Sequence, residues 1–477
     1  MSQKLFKIIN IILIPVKISL VLCMVYGVYS YFNKVFINEN VDYGVSFHSL
    51  PENSMDVLVL GSSHAQYSFV PPMFFEDTGL RSYVMGSACQ PLEVSYEMLK
   101  EGLKTQSPQL VILEVYTAMP LRKVCEADVC YVAAQYLMRD EEKYNTINYL
   151  PEEKAETYRN DFLNYHNNWK YADTLDKWKI NEVFIEDQSK IDGNFGYVYQ
   201  DAIFPIENYW RGTTYESSID VELDELDLKS LNSIYNLCQE KGIELLLYKT
   251  PIDGMDIENQ SYLHKVWEWA EDRSVSYIDF FKIQDKLDYW MCIYSDSYHN
   301  FINGAAVVTK EISDYVNENY RFDKTSNELD DRYNKSAISL DLKNIQYEYN
   351  VYKCFSRMKN EDMIKLIKYD KSRTIMQDRL RDSIIELGFE SFDVNDNYYA
   401  IYYDGKLLES NENINEVINN HEIIINNEGI YVDGEPMPCE GYLTFTLFNN
   451  DMTQNTSFSV DFNDYPWRYG YDFYYKK

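Results

Sequence analysis

Four short, mostly apolar runs, each followed by a stretch with helical periodicity, constrain the fold of this chain more than any other feature of its 477 residues. The runs occupy residues 56–60, 109–115, 243–248 and 276–280. Runs of this kind are typical of strands that are buried on both faces of a parallel sheet. Helical patterns separate them, at residues 91–104, 227–241 and 262–272 and after Asn303-Gly304. This alternation predicts a three-layer α/β domain.

The last of these helices carries an apolar face. Its apolar residues recur at steps of four, three, four and four: Phe301, Ala305, Val308, Ile312 and Val316. This spacing places them on one side of a helix, so we expect that side to pack on the sheet. Gly242, directly after the 227–241 pattern, is a predicted C-cap.

The first 34 residues hold four lysines, no acidic residue and a mostly apolar run from residue 8 to residue 32. About 20 apolar residues suffice to cross a bilayer. Lys17 interrupts the run and would cost about 2.5–3.5 kcal/mol at mid-membrane, so we place it toward the cytoplasmic side with Lys4 and Lys7. No small-x-small cleavage pattern follows the run. We therefore expect a retained signal anchor over residues 1–34 rather than a cleaved signal peptide.

Acidic residues dominate the remainder of the chain. The whole sequence has 44 basic and 76 acidic residues, a net charge of −32, and the first 34 residues contribute +4, which leaves −36 for the rest. A surface this acidic repels phosphate backbones and anionic headgroups. The composition argues against a nucleic-acid partner.

Two changes of composition divide the sequence after the anchor. Residues 125–222 are rich in Tyr, Asn, Trp and charge, which indicates a partly helical insertion within a domain over 35–322. Beyond it, Asp404-Gly405 and Asp433-Gly434 provide turn signals. Short strand-like runs lie around them, at 398–403, 421–425, 429–432, 442–448 and 458–462. We predict a second, β-rich domain over 323–477 with one helix near 377–387.

Eight cysteines are scattered along the chain, and none lies at zinc-site spacing from other cysteines or histidines. Cys125 and Cys130 are a close pair, and their spacing is compatible both with a local disulfide and with two free thiols. The sequence therefore predicts no metal site and no cofactor, and it leaves the redox compartment open.

Two polar signals lie at opposite ends of the α/β domain. Gly61-Ser62-Ser63-His64 follows the first apolar run, and Asp296-Ser-Tyr-His299 precedes the last helix. Both can meet in the crevice at the carboxyl ends of the strands. Together they supply a hydroxyl nucleophile, a base that takes its proton and a carboxylate that orients the imidazole. Helix capping is the alternative that each signal favours by itself.

These signals and two further blocks resemble the SGNH/GDSL-type hydrolases. Within that superfamily the resemblance is greater to a membrane-anchored, extracytoplasmic branch similar to cell-wall polysaccharide O-acyltransferases and D-alanyl-lipoteichoic acid biosynthesis proteins. It covers roughly residues 54–318, and the further blocks are Ser82-Tyr-Val-Met-Gly86-Ser-Ala-Cys-Gln90-Pro91 and Lys249-Thr-Pro251.

The resemblance implies a flavodoxin-like parallel sheet and a role for each block. Ser63 would be the nucleophile, His299 the general base and Asp296 the acid that orients it. The backbone N–H groups of Ser63 and Gly86 would form the oxyanion hole. One block of the family is missing: where Gly-x-Asn-Asp is expected, this chain reads Glu114-Val-Tyr116-Thr117. Loss of one oxyanion donor costs about 2.7–4 kcal/mol of transition-state stabilisation, so either Tyr116 or Thr117 substitutes or turnover is slow.

Four further residues are candidate substrate contacts: His64, Gln90, Tyr116 and Lys249. Three of them also have a structural alternative. His64 could be a solvated turn residue, Gln90 could be a loop-stabilising side chain, and Lys249 could be part of a salt bridge at the rim. Glu114 could act as an acid in the cleft or pair with Lys249.

These assignments predict a membrane-anchored, extracytoplasmic serine esterase or O-acyltransferase. It would act on an acylated surface glycan or teichoic-type polymer, with a membrane acyl-donor protein as a further implied partner. The alternative is a catalytically inactive SGNH-like protein that binds or helps to assemble surface polysaccharide. The C-terminal domain resembles an ILEI/PANDER-type β-domain in Tyr431-Val-Asp-Gly434 and residues 441–450, which implies glycan binding or docking onto the first domain.

Overall fold

A computed structural model describes residues 3–35, 46–119, 127–135, 137, 141–159, 191–200, 219–251, 257–280, 299–348, 351–371, 378–438, 441–460 and 468–469. It begins with helix α1, Gln3–Val35. Within this helix Leu13–Ser30 is apolar and long enough to cross a membrane, and none of that stretch is buried against the rest of the protein. The expected N-terminal apolar helix is therefore present.

A five-stranded parallel sheet organises the first domain. Its strands are β1 (Val57–Gly61), β2 (Ser82–Gly86), β3 (Leu110–Glu114), β4 (Glu244–Lys249) and β5 (Ser276–Asp279). They are hydrogen-bonded in the order β2-β1-β3-β4-β5, with every neighbouring pair parallel. Four of the strands coincide with the predicted apolar runs. The sequence analysis missed β2 as a strand because only three apolar residues lie between its terminal Ser82 and Gly86.

Helices accompany the sheet along the chain. They are α2 (Ser63–Ser68), α3 (Pro71–Thr78), α4 (Leu92–Gly102), α5 (Ala127–Cys130), α6 (Glu141–Asn148), α7 (Glu152–Arg159), α8 (Glu225–Lys241), α9 (Ile257–Asp272) and α10 (Ile302–Asn319). The predicted C-cap is confirmed, because Gly242 has a left-handed φ of +67° and its N–H bonds back to the end of α8. Helices α5 to α7 fall in the predicted insertion, whose residues 160–190 and 201–218 lie outside the described part of the chain.

The two faces of the sheet are covered by different helices. One face packs with α4, α8 and α9 through Leu58, Leu60, Val111, Leu113, Leu245 and Leu247. The opposite face packs with α3 and α10 through Val57, Val59, Leu110, Ile112, Leu246 and Tyr248. All five residues of the predicted apolar face of α10 are buried. The three-layer α/β class is therefore confirmed.

The C-terminal region is antiparallel and β-rich. A six-stranded sheet has the order β15-β14-β13-β6-β7-β8, and a four-stranded sheet has the order β12-β11-β10-β9. The strands are β6 (Ile364–Tyr369), β7 (Tyr398–Tyr403), β8 (Lys406–Ser410), β9 (Ile414–Ile418), β10 (His421–Ile425), β11 (Ile430–Val432), β12 (Glu435–Pro436), β13 (Leu443–Phe448), β14 (Asn455–Val460) and β15 (Arg468–Tyr469). Apolar residues of the two sheets form a shared core.

The expectation of one helix in this region was wrong. Besides α13 (Asp378–Glu386), which lies close to the predicted position, the structure has α11 (Asp330–Tyr347) and α12 (Val351–Arg357). Helix α11 belongs to both cores: Tyr333 packs into the first domain and Ile338, Leu342 and Ile345 into the second. The sequence analysis did not predict this helix because it is largely polar. Its few apolar residues pack against two different cores and therefore form no single apolar face.

Strand β1 ends where it does because residue 61 is glycine. Gly61 has a φ of +146°, and a Cβ atom there would lie 2.6 Å from Cβ of Glu114 and 3.1 Å from Cβ of Ala65. Both neighbours are buried parts of packed elements. No other residue type fits this position without moving β3 or α2.

We therefore predict that Gly61→Ala destabilises the protein by several kcal/mol, since it combines backbone strain with overpacking, each worth about 1–3 kcal/mol. Gly242→Ala is the matched control, because Gly242 also has a positive φ but open space around it, and it should cost only about 1 kcal/mol. Urea unfolding of the detergent-solubilised chain measures both. Equal losses for the two variants would contradict the packing argument.

Candidate active site

The serine signal forms a tight strand-to-helix turn. Ser62 is the N-cap of α2: its hydroxyl accepts a hydrogen bond of 3.2 Å from the backbone N–H of His64. Ser63 is the first residue of the helix and is half-buried. The turn therefore places the Ser63 hydroxyl at the carboxyl end of β1, where it remains accessible.

The turn lies at the point where the direction of the strand order changes. From β1 the chain continues to β2 on one side and to β3 on the other. In open α/β sheets ligands bind in the crevice outside such a switch point, at the carboxyl ends of the strands. Ser63 follows β1 and Tyr116 follows β3, so both border this crevice.

The second signal reaches the same place. The Nε2 atom of His299 lies 2.9 Å from Oγ of Ser63, although the two residues are 236 positions apart in the chain. His299 is half-buried and precedes α10, which packs against α2 and α3. A hydroxyl and an imidazole at this distance can exchange a proton. Asp296 lies outside the described residues, so its predicted role stays a prediction.

Gly86 also lies against the serine turn. It is the register partner of Gly61 at the end of β2. A Cβ atom on Gly86 would lie 3.0 Å from the carbonyl oxygen of Ser62 and 3.0 Å from Cγ of Gln66. The backbone of β2 thus approaches the turn as closely as a glycine allows. The assignment of its N–H and that of Ser63 to an oxyanion hole stays a prediction.

Four aromatic rings form a column through the site. The ring of His64 lies 3.8 Å from that of Tyr116 and 5.2 Å from that of His299, measured between centroids. The ring of His299 also lies 4.6 Å from that of Tyr67. His299 therefore contacts two rings of α2, those of His64 and Tyr67. His64 is buried, so the alternative of a solvated turn histidine is wrong.

The sequence analysis did not single out Tyr67. The signal was present, because Tyr67 lies four residues after Ser63 and helical neighbours four apart share a face. Recognising it required the knowledge that the turn continues into a helix.

Two predicted substrate contacts are engaged in other interactions. The Gln90 side chain is buried: its amide nitrogen donates to the carbonyl of Met85 and to Oγ of Ser95, and its amide oxygen accepts from Oγ of Ser87. Lys249 is 1% exposed and its Nζ lies 3.7 Å from Oδ1 of Asp279. These contacts favour the structural alternatives for both residues, and substrate contact by either stays a prediction.

Glu114 does not pair with Lys249. Its Oε2 accepts a 2.9 Å hydrogen bond from the Ser62 hydroxyl, and its Oε1 accepts a 2.8 Å bond from the N–H of Tyr116. Complete burial raises the pKa of Glu114 to about 7, and the hydrogen bonds from Tyr116 and Ser62 limit the rise. The carboxyl group therefore changes protonation near neutral pH.

The residues in place of the missing Gly-x-Asn-Asp block have separate environments. The N–H of Tyr116 is engaged with Glu114. The hydroxyl of Thr117 is buried and has no hydrogen-bond partner among the residues that the structure describes.

Among all the residues that the structure describes, no three His, Cys, Asp or Glu side chains are close enough together to hold a metal ion.

Comparison with known proteins adds little to this geometry. No family model matches the chain, and no curated protein matches it either. Among solved structures it is similar to a candidate acylhydrolase of Bacteroides fragilis, with 12% identity, a TM-score of 0.28, and coverage of 57% of this chain and 91% of that one. A superposition this loose says nothing about activity.

The raised pKa of Glu114 predicts a pH-dependent stability. The folded state keeps the proton up to a pKa of about 7, whereas an ordinary glutamate loses it near 4.5, so stability falls as pH rises between these values. The difference corresponds to about 3 kcal/mol. Glu114→Gln removes this contribution, so the loss of unfolding free energy between pH 5 and pH 8 should be smaller in the variant by roughly that amount. Equal pH dependences in urea unfolding would contradict the assignment.

Gly86→Ala should impair the site more than it impairs the fold. The new methyl group would press on the Ser62 carbonyl, and displacement of a reacting group by about 1 Å can cost 10²-fold in rate. We expect Ser63 to react with a fluorophosphonate about 10- to 100-fold more slowly, with a cooperative unfolding transition retained. Unchanged labelling would show that β2 does not define the turn.

Proposed function

We propose that this chain is a membrane-anchored serine esterase or O-acyltransferase in which Ser63 is acylated and His299 is its base. The observation that carries the proposal is the 2.9 Å contact between Ser63 Oγ and His299 Nε2 at the switch point of the sheet. A serine hydroxyl is a weak nucleophile, and an adjacent imidazole activates it.

The chemistry uses the two described residues in turn. As Ser63 Oγ attacks the carbonyl carbon of an ester, its proton passes to Nε2 of His299. The tetrahedral oxyanion collapses, the bond to the alcohol breaks, and the alcohol leaves with the proton from His299. Water or a sugar hydroxyl then passes its proton to His299 and attacks the acyl carbon. The bond between the acyl carbon and Ser63 Oγ breaks, and His299 returns the proton to Ser63, which completes hydrolysis with water or transfer with a sugar. Asp296 is proposed to orient the imidazole, and the N–H groups of Ser63 and Gly86 are proposed to bind the oxyanion.

The aromatic column supports this role for His299. The His64 and Tyr67 rings both pack on the imidazole and restrict its movement. The base is thus positioned before substrate arrives.

The location and substrate are proposed from the sequence. Helix α1 would anchor the chain with its lysine-bearing end in the cytoplasm, and the catalytic domain would then lie outside. An acylated surface glycan or teichoic-type polymer is the substrate that the family resemblance implies, and a membrane protein would supply the acyl donor in a transfer reaction.

Labelling with a fluorophosphonate tests the catalytic proposal. The detergent-solubilised wild-type chain should be labelled, Ser63→Ala should not be, and His299→Ala should be labelled at least 100-fold more slowly because the serine loses its base. Ser68→Ala is the matched control, since Ser68 lies in the same helix with its hydroxyl 3.1 Å from that of Tyr248. Equal labelling of wild type and Ser63→Ala would overturn the proposal. An unlabelled wild type that still binds glycan would favour the inactive binding protein.

The anchor is tested separately in intact cells. The full chain should remain in the membrane fraction after carbonate extraction, and external protease should digest the domain that follows α1. Recovery of a soluble chain that begins beyond residue 34 would instead identify a cleaved signal peptide.

A further inference from the structure

Glu114 connects three elements of the candidate site. It is the last residue of β3, its Oε1 binds the backbone of Tyr116 in the following turn, and its Oε2 binds the Ser62 hydroxyl. The same hydroxyl accepts the N–H of His64. A continuous chain of hydrogen bonds therefore runs from β3 to the helical turn that carries Ser63.

The carboxyl group is enclosed and lacks a balancing cation. Glu114 is 0% exposed, and no Lys, Arg or His among the described residues forms an ion pair with it. From β4 it faces the Tyr248 phenol, its register partner, while Lys249 is engaged with Asp279. The carboxyl binds the backbone N–H of Tyr116, whose ring packs on His64, and His299 lies beyond His64 in the ring column.

A buried, uncompensated carboxyl is expensive to keep. A glutamine would fill the end of β3 and keep an acceptor for Tyr116 without burying a carboxyl, so stability does not explain the carboxyl. Its two oxygens instead accept from Tyr116 and Ser62, which belong to the segments that border the crevice. The side chain of Thr250, directly after β4, also lowers the pKa of Glu114.

We propose that Glu114 is a positioning residue for the nucleophile: through the hydroxyl of Ser62 it fixes the turn that presents Ser63 to His299. This inference rests on the proposed function, and it gives the end of β3 a role in orienting the Ser63 hydroxyl toward His299. Glu114 itself touches neither Ser63 nor His299 in any described contact.

Protonation should weaken this role. The ionised carboxylate accepts from Ser62 and leaves the Ser62 oxygen free to accept from His64. A neutral Glu114 carboxyl carries a hydrogen of its own. If it donates that hydrogen to the Ser62 hydroxyl, the direction of this hydrogen bond is reversed, and the new bond competes with the N-cap bond that the hydroxyl accepts from the N–H of His64. Because the pKa of Glu114 is about 7, this change falls near neutral pH.

The pH dependence of kcat/KM for p-nitrophenyl acetate tests the proposal, with the full chain in detergent. Wild type should lose activity below neutrality with a slope that reflects two protonations. Glu114→Gln keeps the size and an acceptor for Tyr116 but imitates the neutral carboxyl, so it should be about 10- to 100-fold slower above pH 7 and show a single protonation. Ser62→Ala should show a similar loss, since it breaks the same connection without altering the buried charge.

Glu101→Gln is the matched control, because Glu101 is also a buried, hydrogen-bonded carboxylate but lies at the far end of α4 and binds Lys104. Its pH profile should equal that of wild type. If Glu114→Gln does not fold, Ser62→Ala decides the question. Wild-type rates and two protonations in Glu114→Gln, or in Ser62→Ala when the former is unfolded, would overturn the positioning role while leaving the proposed function intact. A wild type inert to the ester and to fluorophosphonate would overturn the proposed function instead.

Discussion

The close contact between the ends of β1 and β3 is the constraint on which the site depends. At Gly61 the two strands are so near that a single methyl group would lie 2.6 Å from Cβ of Glu114. Because no side chain intervenes, the chain can turn at once into α2, and the Glu114 carboxyl can reach the Ser62 hydroxyl. Gly86 provides the same close approach from β2. The turn that carries Ser63 is thus held by three adjacent strands rather than carried on a free loop.

A buried ion pair and a shared helix join the rest of the molecule to this sheet. Arg81, just before β2, is 2% exposed and binds both carboxylate oxygens of Asp56, just before β1. It also lies 3.3 Å from Asp330 at the start of α11. In the next turn of α11, the Tyr333 ring stacks on Phe195 at 3.7 Å. Near the other end of α11, the backbone carbonyl of Asn344 accepts a 3.2 Å hydrogen bond from the Asn303 side chain, four residues after His299. Helix α11 therefore contacts the first domain both near Arg81 and near the candidate site.

The chemistry of the site depends on proton positions at neutral pH. Its described groups are an imidazole that contacts two rings and a buried carboxyl with a pKa raised by burial. The carboxyl forms no ion pair among the described contacts, and the chain as a whole carries a net charge of −32. Most of these charges lie on the surface, where salt and water screen them. A single proton on the buried Glu114, by contrast, changes the hydrogen bonds beneath Ser63. Local burial, not net charge, sets the electrostatics of the site.

The sequence by itself determined the class of the first domain, because strands buried on both faces leave an apolar signature and α10 repeats its apolar residues at helical spacing. It also located Ser63 and His299, since both adjoin recognisable elements. It did not reveal β2, α11 or Tyr67, whose side chains acquire partners only after distant segments have packed. Nor could it decide between the two roles considered for Glu114, neither of which describes its bonds to Ser62 and Tyr116. Local pattern fixes which segments become strands and helices, but the distance between Ser63 and His299 is a property of the packed sheet, because it depends on every element between them.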